Sequence, residues 1–125
     1  MDSAAPFKQF STGQVAQSAL TDNAAAVATV THHSSGSQQA RVILCGIKSY
    51  YSLAVAALRS VTISYTDCNG TAKTLIVNWD FTNGPLFYNF PIPLACQIAT
   101  DATASLAASG TGGTTGSCDL FYMEV

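Results

Sequence analysis

The sequence predicts an all-β chain: an antiparallel β-sandwich, jelly-roll-like, of about seven or eight short strands behind an extended N-terminal arm. Two adjoining runs alternate apolar and polar residues strictly, first Val61, Ile63 and Tyr65, then Leu75, Val77, Trp79 and Phe81. Turn signals recur about every 8–12 residues. No stretch needs a long helix to bury its apolar residues.

Residues 1–23 mix Ala, Ser, Gln and Thr with isolated Phe7, Phe10, Val15 and Leu20, and Gly13 interrupts any helix begun at Ser11 or Thr12. Such a segment reads as an arm, with the sandwich occupying 24–125. If the arm crosses to a neighbour, its contact residues are Phe7, Lys8, Phe10, Val15 and Leu20, with the two phenylalanines as anchors. The alternative is a tail folded back on its own sandwich.

The run 24–31 is a strand in which β-branched Thr29, Val30 and Thr31 outweigh the helix preference of the alanines, and it ends in the loop His33-Ser34-Ser35-Gly36-Ser37. In 41–51, Val42, Leu44, Gly46, Lys48 and Tyr50 fall on one face, and Ile43, Cys45, Ile47, Ser49 and Tyr51 on the other. Both faces are largely apolar. The strand is therefore covered on both sides, or it bends at Gly46.

The hairpin from Arg59 to Phe81 offers two registers. A two-residue Asn69-Gly70 turn would put Leu75, Val77 and Trp79 on the face of Ser60, Thr62 and Ser64, leaving half the apolar set in water. A three-residue loop, Cys68 to Gly70, instead pairs Ile63 with Leu75 and Val61 with Val77, so the large residues share one face. Asp67 suits the first position of a type I turn and Gly70 the left-handed bulge that follows it. Arg59 then lies opposite Trp79, where its guanidinium is expected to stack on the indole.

Asn83-Gly84-Pro85 ends the second hairpin strand. Residues 86–90 form a short aromatic strand. Pro91 and Pro93 cannot donate to a ladder, which places 90–94 at an edge or in a loop. Alternation resumes over 100–109, the glycine-rich stretch 110–116 reads as a hairpin loop, and 118–125 is the closing strand.

Composition bears on function. Apolar residues make up 48% of the chain and charged ones 10%, against about 25% charged in ordinary soluble domains. The chain carries 13 Ser, 14 Thr and 19 Ala. Its surface must be small, neutral and hydroxylated, which suits a subunit that lives against neighbours; the alternative is a small secreted or periplasmic domain. Net charge is −2, and the five cations Lys8, Arg41, Lys48, Arg59 and Lys73 are dispersed. Nucleic-acid binding needs clustered cations and is not expected.

The start Met1-Asp2-Ser3 has neither a basic nor an apolar leader, and the longest apolar run, 53–58, is too short to span a bilayer. A protein made in a cytoplasm and not bound to membrane is expected. Cys45, Cys68, Cys96 and Cys118 form no Cys-x-x-Cys pair, so reduced thiols are expected there; a bridge would need the outside of a cell or a virion.

No catalytic constellation stands out. Adjacent histidines on a strand, as His32 and His33 would be, point to opposite faces and do not chelate one ion. Asp80, Asp101 and Asp119 could orient a base, but no spacing selects them, and nucleophile-elbow, phosphate-loop and dinucleotide motifs are missing. The expectation is a non-enzyme without metal or cofactor. Trp79, Tyr50, Tyr51, Phe87 and Tyr88 could line a sugar-binding face, or serve as core and interface residues.

The layout over 40–125 is an apolar strand (RVILCGIKSYYS), a hairpin (SVTISYTDCNGTAKTLIVNWDF), a Pro-flanked stretch (NGPLFYNFPIPL) and an Ala/Thr/Gly-rich strand and loop (ATASLAASGTGG) before a closing strand. It resembles small β-sandwich virion proteins of tailed bacteriophages, the capsid cement and decoration proteins. The chain departs from them in its four cysteines and heavier aromatics, and the arm is not covered. The resemblance implies a virion protein made in the host cytoplasm, placed on the capsid surface as a homotrimer or homodimer and touching the major capsid protein. A carbohydrate-binding module of a phage spike or fibre is the alternative.

Overall fold

The central hairpin forms as its side-chain alternation requires. In the computed structural model, strands Leu58–Thr66 and Ala72–Asp80 pair with Ile63 opposite Leu75, Val61 opposite Val77, Tyr65 opposite Lys73 and Arg59 opposite Trp79. The turn is stitched by Asp67. Its carbonyl accepts from Gly70 N at 2.9 Å, its own N–H donates to Thr71 O at 2.9 Å, and its Oδ1 accepts from the Asn69 and Thr71 amides. Gly70 has φ 81°, the left-handed position that a glycine bulge demands.

The structure describes residues 14–20, 26–30, 34–35, 38–39, 41–53, 55 and 57–124. They form β1 (Gln14–Leu20), β2 (Ala26–Val30), β3 (Ser34–Ser35), β4 (Gln38–Gln39), β5 (Val42–Tyr51), β6 (Leu58–Thr66), β7 (Ala72–Asp80), a 3-10 turn (Phe81–Asn83), β8 (Leu86–Ala95), β9 (Ala102–Leu106) and β10 (Gly116–Glu124). One sheet has the order β1-β10-β5-β8 and the other β2-β9-β6-β7, with β3-β4 a separate ribbon. Every pairing is antiparallel.

Apart from the small β3-β4 ribbon, the order has a simple origin. The chain pairs its ends inward: β1 with β10, β2 with β9, β5 with β8 and β6 with β7. A long antiparallel ribbon folded at the β6–β7 turn and then rolled up gives this arrangement, which is the jelly roll. The hairpin is thus the tip of the ribbon, and the sandwich closes around it.

The core lies between the two sheets. Ala26, Ala28, Val30, Val61, Ile63, Ala102, Ala104 and Leu106 face Val42, Leu44, Ile47, Leu86, Cys118 and Leu120, all buried. Alanine fills two of the three buried positions on each of β2 and β9. Ser49 is fully buried but satisfied: its hydroxyl donates to Cys118 Sγ at 3.4 Å.

β5 resolves the question of its two apolar faces by bending. The register slips beside Gly46: Phe121 lies opposite Gly46 and Tyr122 opposite Leu44, so Cys45 is the extra residue. Val42 and Leu44 face the core before the bulge, and Ile47 and Ser49 after it. The two faces expected from unbroken alternation therefore exchange halfway. Gly46 is needed because β8 passes so close: a Cβ there would sit 2.6 Å from Tyr88 O and 3.2 Å from Asn89 Cα. Residues 90–93, with Pro91 and Pro93, form the opposing irregularity in β8, an edge strand.

Three expectations change. Residues 14–20, assigned to the arm, form β1 at the edge of a sheet, with Val15 opposite Phe121 and Leu20 opposite Gly116. Pairing with β10 supplies the partner that the segment's own weak pattern does not announce. Residues 110–116 are not a hairpin loop, because they carry the chain from β9 in one sheet to β10 in the other. Arg59 does lie opposite Trp79, but its Nε donates to Ala108 O at 3.1 Å and its Nη2 to Ser109 O at 2.8 Å. A guanidinium gains more from fixed carbonyls than from a ring face.

Candidate functional site

With the core filled, function falls to the outer faces. On the β2-β9-β6-β7 sheet the register builds two cross-strand rows, Val27–Ser105–Thr62–Ile76 and Thr29–Thr103–Ser64–Thr74. These rows carry no charge. Asp101 stands beside the second row, lining a shallow depression with Ser64, Thr74 and Thr103, whereas Asp80 lies at a corner and is committed. Its Oδ1 accepts from Thr82 N at 3.0 Å and Thr82 Oγ1 at 2.6 Å, which holds the carboxyl below its ordinary range.

The other outer face is different. Asp119, Lys48 and Phe87 form one row across β10, β5 and β8. The Lys48 ammonium lies 5.3 Å from the Tyr50 ring centroid and 5.4 Å from that of Phe87, a cation held between two aromatic faces. Burial raises the Asp119 pKa and the Lys48 charge partly offsets it. Phe87 is 67% exposed and Tyr50 37%.

Next to Tyr50 an open cleft of about 270 Å³ is lined by Tyr50, Tyr51, Ser52, Leu53, Phe81, Thr82, Gly84 and Pro85. The loop after β5 and the 3-10 turn after β7 meet there. Ser52 Oγ accepts from Thr115 N at 2.8 Å and keeps its own proton to donate. Thr82 Oγ1 donates to Asp80 and keeps its lone pairs. The described lining offers hydroxyls, aromatic rings and apolar walls.

Val15 and Leu20 both lie on β1, near its two ends, while Phe7, Lys8 and Phe10 lie outside the described residues, as do His32 and His33. Asp80, Asp101 and Asp119 are not brought to one site: Asp80 ends β7, Asp101 borders a shallow depression with Lys73 and Ser64, and Asp119 is on the opposite sheet. Among the described residues no three His, Cys, Asp or Glu side chains gather to hold a metal. No helix among the described residues is long and apolar enough to cross a membrane.

Of the five suggested aromatics, only Tyr50 and Phe87 are free on the surface. Tyr51, Trp79 and Tyr88 pack against the core, with Tyr51 Oη donating to Ala107 O and Trp79 Nε1 to Gly84 O. Lys48 was missed as their companion. The visible signal was its i, i+2 spacing from Tyr50, which places both on one strand face. No protein-family model matches the chain, and no curated protein matches it either.

Proposed function

We propose that the protein is a non-enzymatic structural component of a virus particle, a capsid cement or decoration protein that contacts the major capsid protein and its own copies. Jelly rolls build viral capsid domains and lectin domains alike, so the surface must decide. The observation that supports a shell protein is the pair of uncharged cross-strand rows on the outer face of the β2-β9-β6-β7 sheet, built of threonine, serine, Val27 and Ile76, with Asp101 and Lys73 only at their border. Small hydroxylated side chains cost far less to desolvate than ionised ones, and they can exchange water for hydrogen bonds across an interface. A modest contact of this kind, repeated over a symmetric shell, adds up to a large stabilisation. The test is co-sedimentation of the purified protein with assembled capsids: attachment, and release by charged substitutions at Thr62 and Thr103, are expected, and a protein that stays in the supernatant overturns the proposal.

The exposed Tyr50 and Phe87 beside the cleft favour a second reading, a carbohydrate-binding module of a phage spike or fibre. Aromatic faces stack on the apolar side of sugar rings, and the cleft lies near the low end of the about 300–1,000 Å³ usual for ligand sites. Glycan-array binding that is lost in Y50A and F87A, without capsid attachment, would select this reading.

A further inference from the structure

We infer that the free edge of β7 pairs with the same edge of a second copy, antiparallel about a two-fold axis at Ile76, fusing two four-stranded sheets into one. This deepens the self-association part of the proposal above, and it stands or falls separately from attachment to a capsid.

Among the described residues four strands end the two sheets: β1, β8, β2 and β7. β8 is blunted by Pro91, Pro93 and a register slip, and β2 has five residues. β7 runs for nine residues with no proline, no bulge and unbroken pairing to β6 from Ala72 to Asp80. Natural edges are normally protected by such devices, and β7 has none of them along its middle.

The hydrogen-bond phase is fixed by its neighbours. Ser60 O accepts from Ala107 N and Thr66 O from Gln97 N, so the even-numbered residues of β6 turn their amides away from β7. Alternation along an antiparallel pair then aims the amides of Thr74, Ile76 and Asn78 outward from the free edge. All three residues are exposed, Ile76 at 57%.

The edge is also complementary to itself. With Ile76 opposite Ile76 of the second copy, Thr74 meets Asn78, Leu75 meets Val77 and Lys73 meets Trp79, each twice by symmetry. Apolar faces apolar, hydroxyl faces amide, and a cation faces an indole. Residues directly opposite keep the same sheet face, as a two-fold normal to the sheet requires. Leu75, Val77 and Trp79 point toward the core yet are only half-buried, and the second copy would cover them. Pairing adds about six backbone hydrogen bonds, two at each of the three outward-facing pairs. The present partner of Lys73 is no obstacle, since its 3.9 Å contact with Asp67 is a long, partly exposed ion pair.

Sedimentation equilibrium on the full chain under reducing conditions tests the inference. A concentration-dependent dimer of the 13.0 kDa chain is expected. I76K places two ammonium groups at the axis and should run as a monomer with an unchanged circular dichroism spectrum. I92K, on the β8 edge at a still more exposed isoleucine, should still dimerise. Amide exchange at Thr74, Ile76 and Asn78 should slow as concentration rises. A monomer at every concentration, a trimer, a dimer that survives I76K, or exchange at these amides independent of concentration overturns the inference. Co-sedimentation with capsids is scored separately, so loss of either property is distinguishable from loss of the other.

Discussion

Arg59 and Ser109 are joined by a 2.8 Å hydrogen bond from Nη2 to the backbone carbonyl, and Ser109 is in turn bound to its own loop, its hydroxyl donating to Thr111 O and accepting from Thr111 N at 3.0 Å each. The start of β6 thereby holds the segment that carries the chain from one sheet to the other. Nε reaches Ala108 O at 3.1 Å and Nη1 reaches Leu58 O at 3.0 Å, so a single side chain satisfies three carbonyls.

R59M keeps the aliphatic stem and removes all three donors. It should lower stability by about 1–3 kcal/mol, the range for charged-group hydrogen bonds at a partly exposed site. W79F should cost less at this position, because Arg59 does not depend on the indole. Urea titration of the two variants checks the order. Because W79F also removes the indole's hydrogen bond to Gly84 O, it is coupling between R59M and W79F in the double variant that would restore the stacking expected from the pairing alone.

At Gly46 any side chain collides with a neighbouring strand. A Cβ would lie 2.6 Å from Tyr88 O, a backbone atom that moves only if β8 moves. G46A should therefore destabilise by about 1–3 kcal/mol, as overpacking does, and should disturb the β5–β8 pairing first. Amide exchange along 86–89 should quicken while the β6–β7 hairpin stays protected.

These two sites show which parts of the fold were legible. The hairpin register could be read because its determinants are local: period-two alternation, Asp67 and Gly70. The bulge at Cys45 could only be anticipated as a bend, since its phase depends on how closely β8 approaches Gly46. β1 was hidden for a related reason. Gln14–Leu20 has few apolar residues of its own, and what makes it a strand is an open edge on β10, about a hundred positions later in the chain. The cleft beside Tyr50 was equally out of reach, because Ser52 and Leu53 meet Thr82 and Pro85 only once the ribbon has rolled.

Thr114 is 1% exposed and its Oγ1 has no hydrogen-bond partner. A buried, unsatisfied hydroxyl costs free energy that an apolar group of the same shape does not. T114V should stabilise the protein by about 1–2 kcal/mol. Thermal or urea unfolding checks the sign, and destabilisation would mean that the hydroxyl finds a water.

The cysteines should divide by exposure, with consequences for alkaline stability. Cys68 is on the surface, its sulfur 2.6 Å from Arg41 Nη1, whereas Cys96 and Cys118 are fully buried. Burial, and after it the nearby Cys68, pushes the Cys96 thiol up to about 11, and burial raises Cys118 as well. In the unfolded chain these thiols ionise near pH 9. Between pH 9 and about 11 the unfolded state therefore releases protons that the folded Cys96 retains. The unfolded state binds fewer protons in that window, so stability falls as pH rises through it and is unaffected by these groups below it. Urea midpoints should be flat on this account from pH 7 to 8.5 and drop toward pH 11, with a shallower drop in C96A. A thiol reagent at pH 8 should label Cys68 promptly and reach Cys96 and Cys118 only on unfolding. Prompt labelling of Cys96 in the folded protein would contradict both the burial and the pH window drawn from it.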